Sequence, residues 1–231
     1  MPLYKKIQTD SYAVFVWKVT ETYDELIAVL PHSDIFRNEA ERRFTSMKRR
    51  LEFAAVRVAL YVAAGIDYPE IGYMASGKPF LLHDSRELSV SHTQNYVAVM
   101  LTEDKMPGVD IERRSDRIVN LKSRIIGPEE LADSPECLLL HWSAKETAYK
   151  IMQCRDVDFV RHLKLSVLPE YIISDGIKKS GEAVMKTVHP DYVASFMINY
   201  VLDDEFILTY SVTSKKTHQD NLCNDDAAKH G

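Results

Sequence analysis

Ser91-His92-Thr93-Gln94-Asn95-Tyr96-Val97-Ala98-Val99-Met100 has an echo about half a chain later, in His189-Pro190-Asp191-Tyr192-Val193-Ala194-Ser195-Phe196-Met197. A shared Tyr-Val-Ala is by itself near chance level. Each copy, however, follows a long helical pattern, and that matching helix-then-strand order predicts two similar α+β halves joined near Asp104–Pro107. Outward from the first copy, Tyr12–Thr20 is β-branched and aromatic and predicts a strand. From about Asn38 to Ala64 the pattern is helical: Phe44, Met47, Leu51, Ala54, Val58 and Tyr61 keep one face, and Gly65 supplies the stop. Leu88–Leu101 and Gly108–Glu112 predict two further strands. Outward from the second copy, Ser134-Pro135-Glu136 marks a helix start running to about Gln153. Leu163–Leu168, Tyr192–Leu202 and Phe206–Val212 predict strands. The halves are expected at 1–105 and 106–213, with a polar, fraying tail at 214–231.

The 231 residues (26.5 kDa) are 45% hydrophobic and 27% charged. A chain of this length buries roughly 70–75% of its unfolded-state surface without staples. Its net charge of −5 argues against a general nucleic-acid binder. Cys137, Cys154 and Cys223 lack CxxC or Cys/His ligand spacing, which fits a reducing compartment. Without an apolar signal core or an apolar run of the ~20 residues that span a membrane, a cytoplasmic protein is expected.

Four stretches could carry chemistry. In Gly108-Val109-Asp110-Ile111-Glu112, strand alternation puts Asp110 and Glu112 on one face and Val109 and Ile111 on the other. Paired hard oxygens suit Mg²⁺, although a solvated acidic strand has the same pattern. Because these acids share a face away from the apolar residues, neither should be needed for core packing. In Trp142-Ser143-Ala144-Lys145-Glu146-Thr147-Ala148-Tyr149-Lys150, Glu146 and Lys150 are i, i+4 helix neighbours, and Lys145 projects about 100° around from Glu146. Ser91-His92, at a strand edge, offers donors for a phosphate oxygen. Arg37 to Arg57 holds seven basic residues against three acids, with Arg43, Arg50 and Arg57 at seven-residue intervals; this patch, with Lys78 on the turn Ser76-Gly77-Lys78-Pro79, could hold a phosphorylated ligand.

In their order, Gly-Lys-Pro, Val-Ser-His-Thr, Gly-Val-Asp-Ile-Glu and Trp-Ser-Ala-Lys-Glu-Thr-Ala-Tyr-Lys resemble the 4′-phosphopantetheinyl transferases. The length is similar to the larger, monomeric kind typified by the surfactin-synthetase activator, and the resemblance spans about Arg42 to Val167. It implies a pseudo-twofold pair of α+β halves. It also implies transfer of the phosphopantetheine arm of coenzyme A to a serine of an apo acyl or peptidyl carrier protein, releasing adenosine 3′,5′-bisphosphate. By that pattern Asp110, Glu112 and Glu146 hold Mg²⁺, and His92 contacts the pyrophosphate with Ser91 close by. Lys150 neutralises charge there, with Lys145 assisting, and Lys78 with Arg49 or Arg50 faces the adenosine phosphates. Glu146 or Glu130 is the base that takes the serine proton. The alternative is a degenerate homologue that binds coenzyme A without transferring.

After the acidic strand, Arg113-Arg114-Ser115-Asp116-Arg117 and Leu121-Lys122-Ser123-Arg124-Ile125 carry a local positive charge. A short helix there would show Leu121 and Ile125 as an apolar stripe. Since carriers are typically acidic around the modified serine, this segment is expected to dock them: Arg113, Arg117 and Arg124 steer, and Leu121 and Ile125 make the apolar contact.

Overall fold

The computed structural model describes residues 3–168, 172–173, 176–177 and 179–215. Within them the chain forms two compact units that divide between Glu103 and Asp104. Cys223 and all but the first two residues of the 214–231 segment lie outside the described residues.

The first unit begins with β1 (Leu3–Gln8) and β2 (Tyr12–Lys18). Three helices follow: α1 (Tyr23–Val29), α2 (Ser33–Arg43) and α3 (Met47–Val58). Thr22 and Glu25 close a reciprocal capping box at the start of α1. α3 runs into a wide turn at Ala59–Ala63, and the chain leaves through Gly65 at φ +69°, where the absence of a Cβ removes the left-handed penalty. Then come β3 (Ile71–Tyr73), β4 (Pro79–Leu81), β5 (Glu87–Thr93) and β6 (Tyr96–Thr102), giving a six-stranded sheet in the order β1-β2-β6-β5-β4-β3. Its helix-facing side, with Trp17, Leu88, Val97 and Val99, packs with Leu26, Phe36 and Leu60 in one core.

The second unit opens with β7 (Lys105–Arg113), passes through short helical turns at Asp116–Leu121 and α4 (Lys122–Ile125), and reaches the long helix α5 (Pro135–Met152). Ser134 caps α5 by accepting from the Cys137 N–H, Pro135 occupies the first turn, and Gln153 ends it in the left-handed region. β8 (Leu163–Val167), the short pair β9 (Ile172–Ile173) and β10 (Gly176–Ile177), β11 (Ser180–His189), β12 (Tyr192–Leu202) and β13 (Phe206–Ser214) complete it. The main sheet has the order β7-β13-β12-β11-β8 and is antiparallel throughout. α5 covers one face, with Leu140, Ala144, Ala148 and Ile151 against Leu163, Met185, Ile198 and Ile207.

Two antiparallel sheets with helices packed on them make the class α+β; the first sheet adds β1 outside β2, and from β2 onward its strand order follows the same connectivity as the second. A first strand (β2, β7) pairs with the last (β6, β13), and the remaining strands follow as a meander. The Tyr-Val-Ala echo does not mark that correspondence. Tyr96 opens β6, the last strand of its unit, whereas Tyr192 opens β12, the last but one. Other expectations change in detail. The single helix over Asn38–Ala64 is two, broken where Phe44 takes extended backbone angles. The single strand Leu88–Leu101 is the β5–β6 hairpin, turning at Gln94 with φ +39°.

Candidate active site

Gly108 brings α5 unusually close to β7: a Cβ there would lie 2.6 Å from the Thr147 carbonyl oxygen and 2.7 Å from the Ile151 side chain. The same strand face then carries Asp110 and Glu112 toward the helix. Asp110 is only 3% exposed. Ser143 Oγ donates to its Oδ2 at 2.8 Å, and Lys150 Nζ donates to its Oδ1 at 2.8 Å and to the Val109 carbonyl at 2.8 Å. Ser143, Thr147 and Thr209 extend this into a buried hydroxyl seam between α5 and β13. The expectation that Asp110 stands clear of core packing is therefore corrected: it anchors the helix to the strand. Val109 and Ile111, on the opposite face, are fully buried, as alternation requires.

Glu112 accepts from the Trp142 indole N–H at 2.8 Å. Among the described residues no hydrogen bond or ion pair engages Glu146, and its expected partner Lys150 is bound to Asp110 instead. Burial, reinforced by the Asp110 charge and opposed by Lys150, pushes the Glu146 carboxyl up to about 7. Glu112 is raised as well, by burial and then by Asp110, against the pull of Trp142 and Lys150. Three acids thus share one neighbourhood with one lysine, and their repulsion favours a proton or a cation there. Hard carboxylate oxygens are the donors Mg²⁺ takes, so the site fits that ion in chemistry. Among the described residues, though, no three His, Cys, Asp or Glu side chains are grouped so as to hold a metal ion as they stand. Lys150 and Trp142 take oxygens that a metal would use.

Two other expected site residues serve the framework. Lys145 is wholly buried, and its three ammonium protons go to the Ile125 carbonyl (2.5 Å), Glu130 Oε2 (2.6 Å) and the Phe159 carbonyl (3.0 Å). It has no proton left for a pyrophosphate. Burial draws the ammonium below its ordinary value, with Glu130 opposing. Glu130 is itself buried. Burial raises its carboxyl, but His141, with Nδ1 3.3 Å from Oε1, together with donation from the Leu165 N–H, Lys145 and the Gly127 N–H, outweighs that and holds it at about 2. A carboxylate so well satisfied is a poor base at neutral pH, which leaves Glu146 as the candidate.

Glu146 also lines an open cavity of about 780 Å³ with Arg124, Trp142, Tyr149 and Phe159. The Phe159 ring packs against both others at a tilt, 5.5 Å from Trp142 (41°) and 6.1 Å from Tyr149 (48°). The apolar stripe expected over Leu121–Ile125 turns inward: Ile125 is fully buried and Leu121 packs on the core. Arg113, Arg117 and Arg124 are exposed.

In the first unit the basic patch divides. Arg57 is 1% exposed, 3.3 Å over the Phe53 ring, and its pKa falls to about 10 through burial. Arg43, on α2, pairs with Glu39, and Arg50 donates to the Phe44 carbonyl at the end of α2. Of the three arginines at seven-residue intervals, Arg57 is thus structural, Arg50 is half-buried and Arg43 stays exposed; Arg49, 61% exposed, is the more open of the 49–50 pair. Beneath it Glu52 gathers Arg49 (3.3 Å), Lys48 (3.8 Å) and His92 Nδ1 (3.6 Å). Lys78 pairs with Glu87 at 2.6 Å and is sunk to 8% side-chain exposure. On β5, Val90 faces the core while Ser91 is its neighbour on the other side, so Ser91 and His92 project to opposite faces of the sheet. Ser91 therefore does not stand beside His92 as expected.

The sequence reading missed Ser143, Trp142 as the donor to Glu112, and Glu52. The signal for the first was present: Ser143, Thr147 and Lys150 fall at i, i+4 and i+7, a polar stripe on a largely apolar helix. No family model and no curated protein matches the chain.

Proposed function

We propose that the protein transfers the 4′-phosphopantetheine arm of coenzyme A to a serine of an apo acyl or peptidyl carrier protein, as the motif resemblance implies. The observation that carries this reading is the gathering of Asp110, Glu112 and Glu146 beside Lys150, with Glu146 raised to about 7. Phosphoryl transfer needs positioning and charge neutralisation more than covalent help from the protein. Asp110, Glu112 and Glu146 would hold Mg²⁺, which when bound neutralises pyrophosphate charge.

The chain's own groups do the rest. The carrier serine oxygen bonds to the phosphorus of the pantetheine-side phosphate as the bond to the bridging oxygen breaks, and that oxygen leaves with adenosine 3′,5′-bisphosphate. Glu146, the acid of the cluster left without a hydrogen-bond donor among the described residues, is assigned the serine proton. Lys150, tethered to β7 by Asp110 and the Val109 carbonyl, offsets negative charge on the leaving oxygen. On the first unit, His92 and Arg49 are assigned to phosphate groups; Lys78 joins them only by leaving Glu87. The exposed Arg113, Arg117 and Arg124 are assigned to steering an acidic carrier.

The test mixes the protein with coenzyme A, Mg²⁺ and an apo carrier and weighs the carrier intact. Addition of one phosphopantetheine, abolished by chelation, supports the reading. Tight coenzyme A binding without any mass gain would instead identify a non-transferring binder, and absence of both sinks the proposal.

A further inference from the structure

We propose that the buried Lys145–Glu130 pair is a positioning device: it clamps both sides of the cavity to α5 and, through Phe159 and Trp142, sets the carboxylate of Glu112. A buried ion pair is rarely the cheapest way to stabilise a core, since apolar replacements of similar volume are often as stable. What an apolar side chain cannot do is fix several backbone points in direction.

This pair fixes four. Lys145 holds the carbonyls of Ile125 and Phe159, while Glu130 holds the N–H groups of Gly127 and Leu165. Lys145 thus grips the end of α4 and the segment that leads into β8, while Glu130 grips the turn after α4 and β8 itself. α4 and the segment before β8 supply the two sides of the cavity, Arg124 on one and Phe159 on the other. The turn after α4 meets β8 tightly: a Cβ on Gly127 would lie 2.5 Å from Lys164 Nζ and 3.3 Å from Glu130 Oε2.

From Phe159 the restraint passes by contact. Its backbone carbonyl is pinned by Lys145, its ring lies against Trp142, and the Trp142 N–H holds Glu112 Oε1 at 2.8 Å. Lys145 therefore bears on the acidic cluster from a helix face about 100° around from Glu146. The kinetic consequence rests on the transferase reading; the geometric one does not.

Three variants separate positioning from plain stability. Lys145→Met keeps the reach and removes the ammonium. Phe159→Leu leaves the ion pair whole and removes only the ring. Phe159→Tyr keeps the ring and should behave as wild type. Trp17 is wholly buried, so acrylamide quenching of tryptophan emission reports chiefly on Trp142.

Well below their unfolding midpoints, Lys145→Met and Phe159→Leu should both raise that quenching. Both should lower kcat/KM for the carrier by about a hundredfold, the scale of a 1 Å misplacement. The KM for coenzyme A should stay within about twofold, because no ground-state contact is lost. If Lys145→Met does not fold, Phe159→Leu decides alone. Unchanged quenching and unchanged carrier kinetics in Phe159→Leu overturn the proposal. If the wild type transfers nothing, the transferase reading fails, and the quenching result still decides the clamp.

Discussion

Glu130 and Glu146 are both acids packed about α5, and their protonation lies at opposite extremes. Burial raises both. Glu130 is then met by two backbone N–H groups, His141 and Lys145, and settles at about 2. Glu146 meets the charges of Asp110 and Glu112 with Lys150 in partial compensation, and settles at about 7. The difference teaches that burial alone does not set the state of a carboxylate; the count of donors and the sign of the neighbours do. Glu130 belongs to a completed structural ion site. Glu146 belongs to a cluster with excess negative charge, which a divalent cation would offset and which is the kind of imbalance found where chemistry is done.

The largest effect expected from that contrast is on turnover. On the transferase proposal, Glu112→Gln and Glu146→Gln keep shape and remove charge, so each should cut Mg²⁺-dependent transfer by about 10²–10³, the cost of losing one preorganised electrostatic partner. Asp110→Asn should match them in activity and differ in stability. Ser143 and Lys150 would lose their carboxylate acceptor, at about 1–3 kcal/mol. Transfer rates read by carrier mass, beside urea melts, check both parts. A Glu112 or Glu146 variant within a few-fold of wild type would remove that residue from the cation site.

Next in size is the break on the other side of the helix. Glu130→Gln leaves Lys145 charged and buried without its anion, so unfolding free energy in urea should fall by about 3–5 kcal/mol. Adding Lys145→Met should recover much of it. The pH dependence has a definite sign. The folded carboxyl (about 2) lies below its unfolded value of about 4.3, so its contribution is whole above that value and is lost as pH falls toward 2. Glu130→Gln should flatten the acid limb in that window. An acid limb as steep as wild type would mean Glu130 is not the satisfied anion described.

Much of this was legible in the sequence where local chemistry and burial agree. Ser134-Pro135 marked the start of α5 nearly to the residue, and Gly108–Glu112 marked the edge strand β7 with Asp110 and Glu112 on one face. The turn-like Asp203-Asp204-Glu205 does separate β12 from β13, whereas the turn at Gln94-Asn95 was missed: its left-handed residue is Gln94, which is not one of the usual turn formers. β11 was missed although Ala183, Met185, Thr187 and His189 alternate inward. The α+β class was anticipated, although the repeat used in that reading falls on non-equivalent strands. Site roles were least legible: Lys145 and Glu146 are adjacent on one helix, and only the packing of residues 125–130 and 158–165 decides which is buried as framework.

The smallest effect probes Glu146 without any substrate. Its folded value of about 7 lies above the unfolded carboxylate value of about 4.3, so between those pH values the native state holds a proton that the unfolded state releases. Stability attributable to this group therefore falls as pH rises through the window, and the full cost persists above pH 7. Glu146→Gln abolishes that cost. In metal-free buffer at pH 8 the variant should unfold slightly later than wild type, by on the order of 1 kcal/mol or less after solvent screening. At pH 4 the two midpoints should coincide. Mg²⁺ should raise the wild-type midpoint at pH 8 more than the variant's, closing the gap from the other side. A variant less stable than wild type at pH 8 would show that Glu146 makes a favourable contact in the fold, and the contrast with Glu130 would collapse.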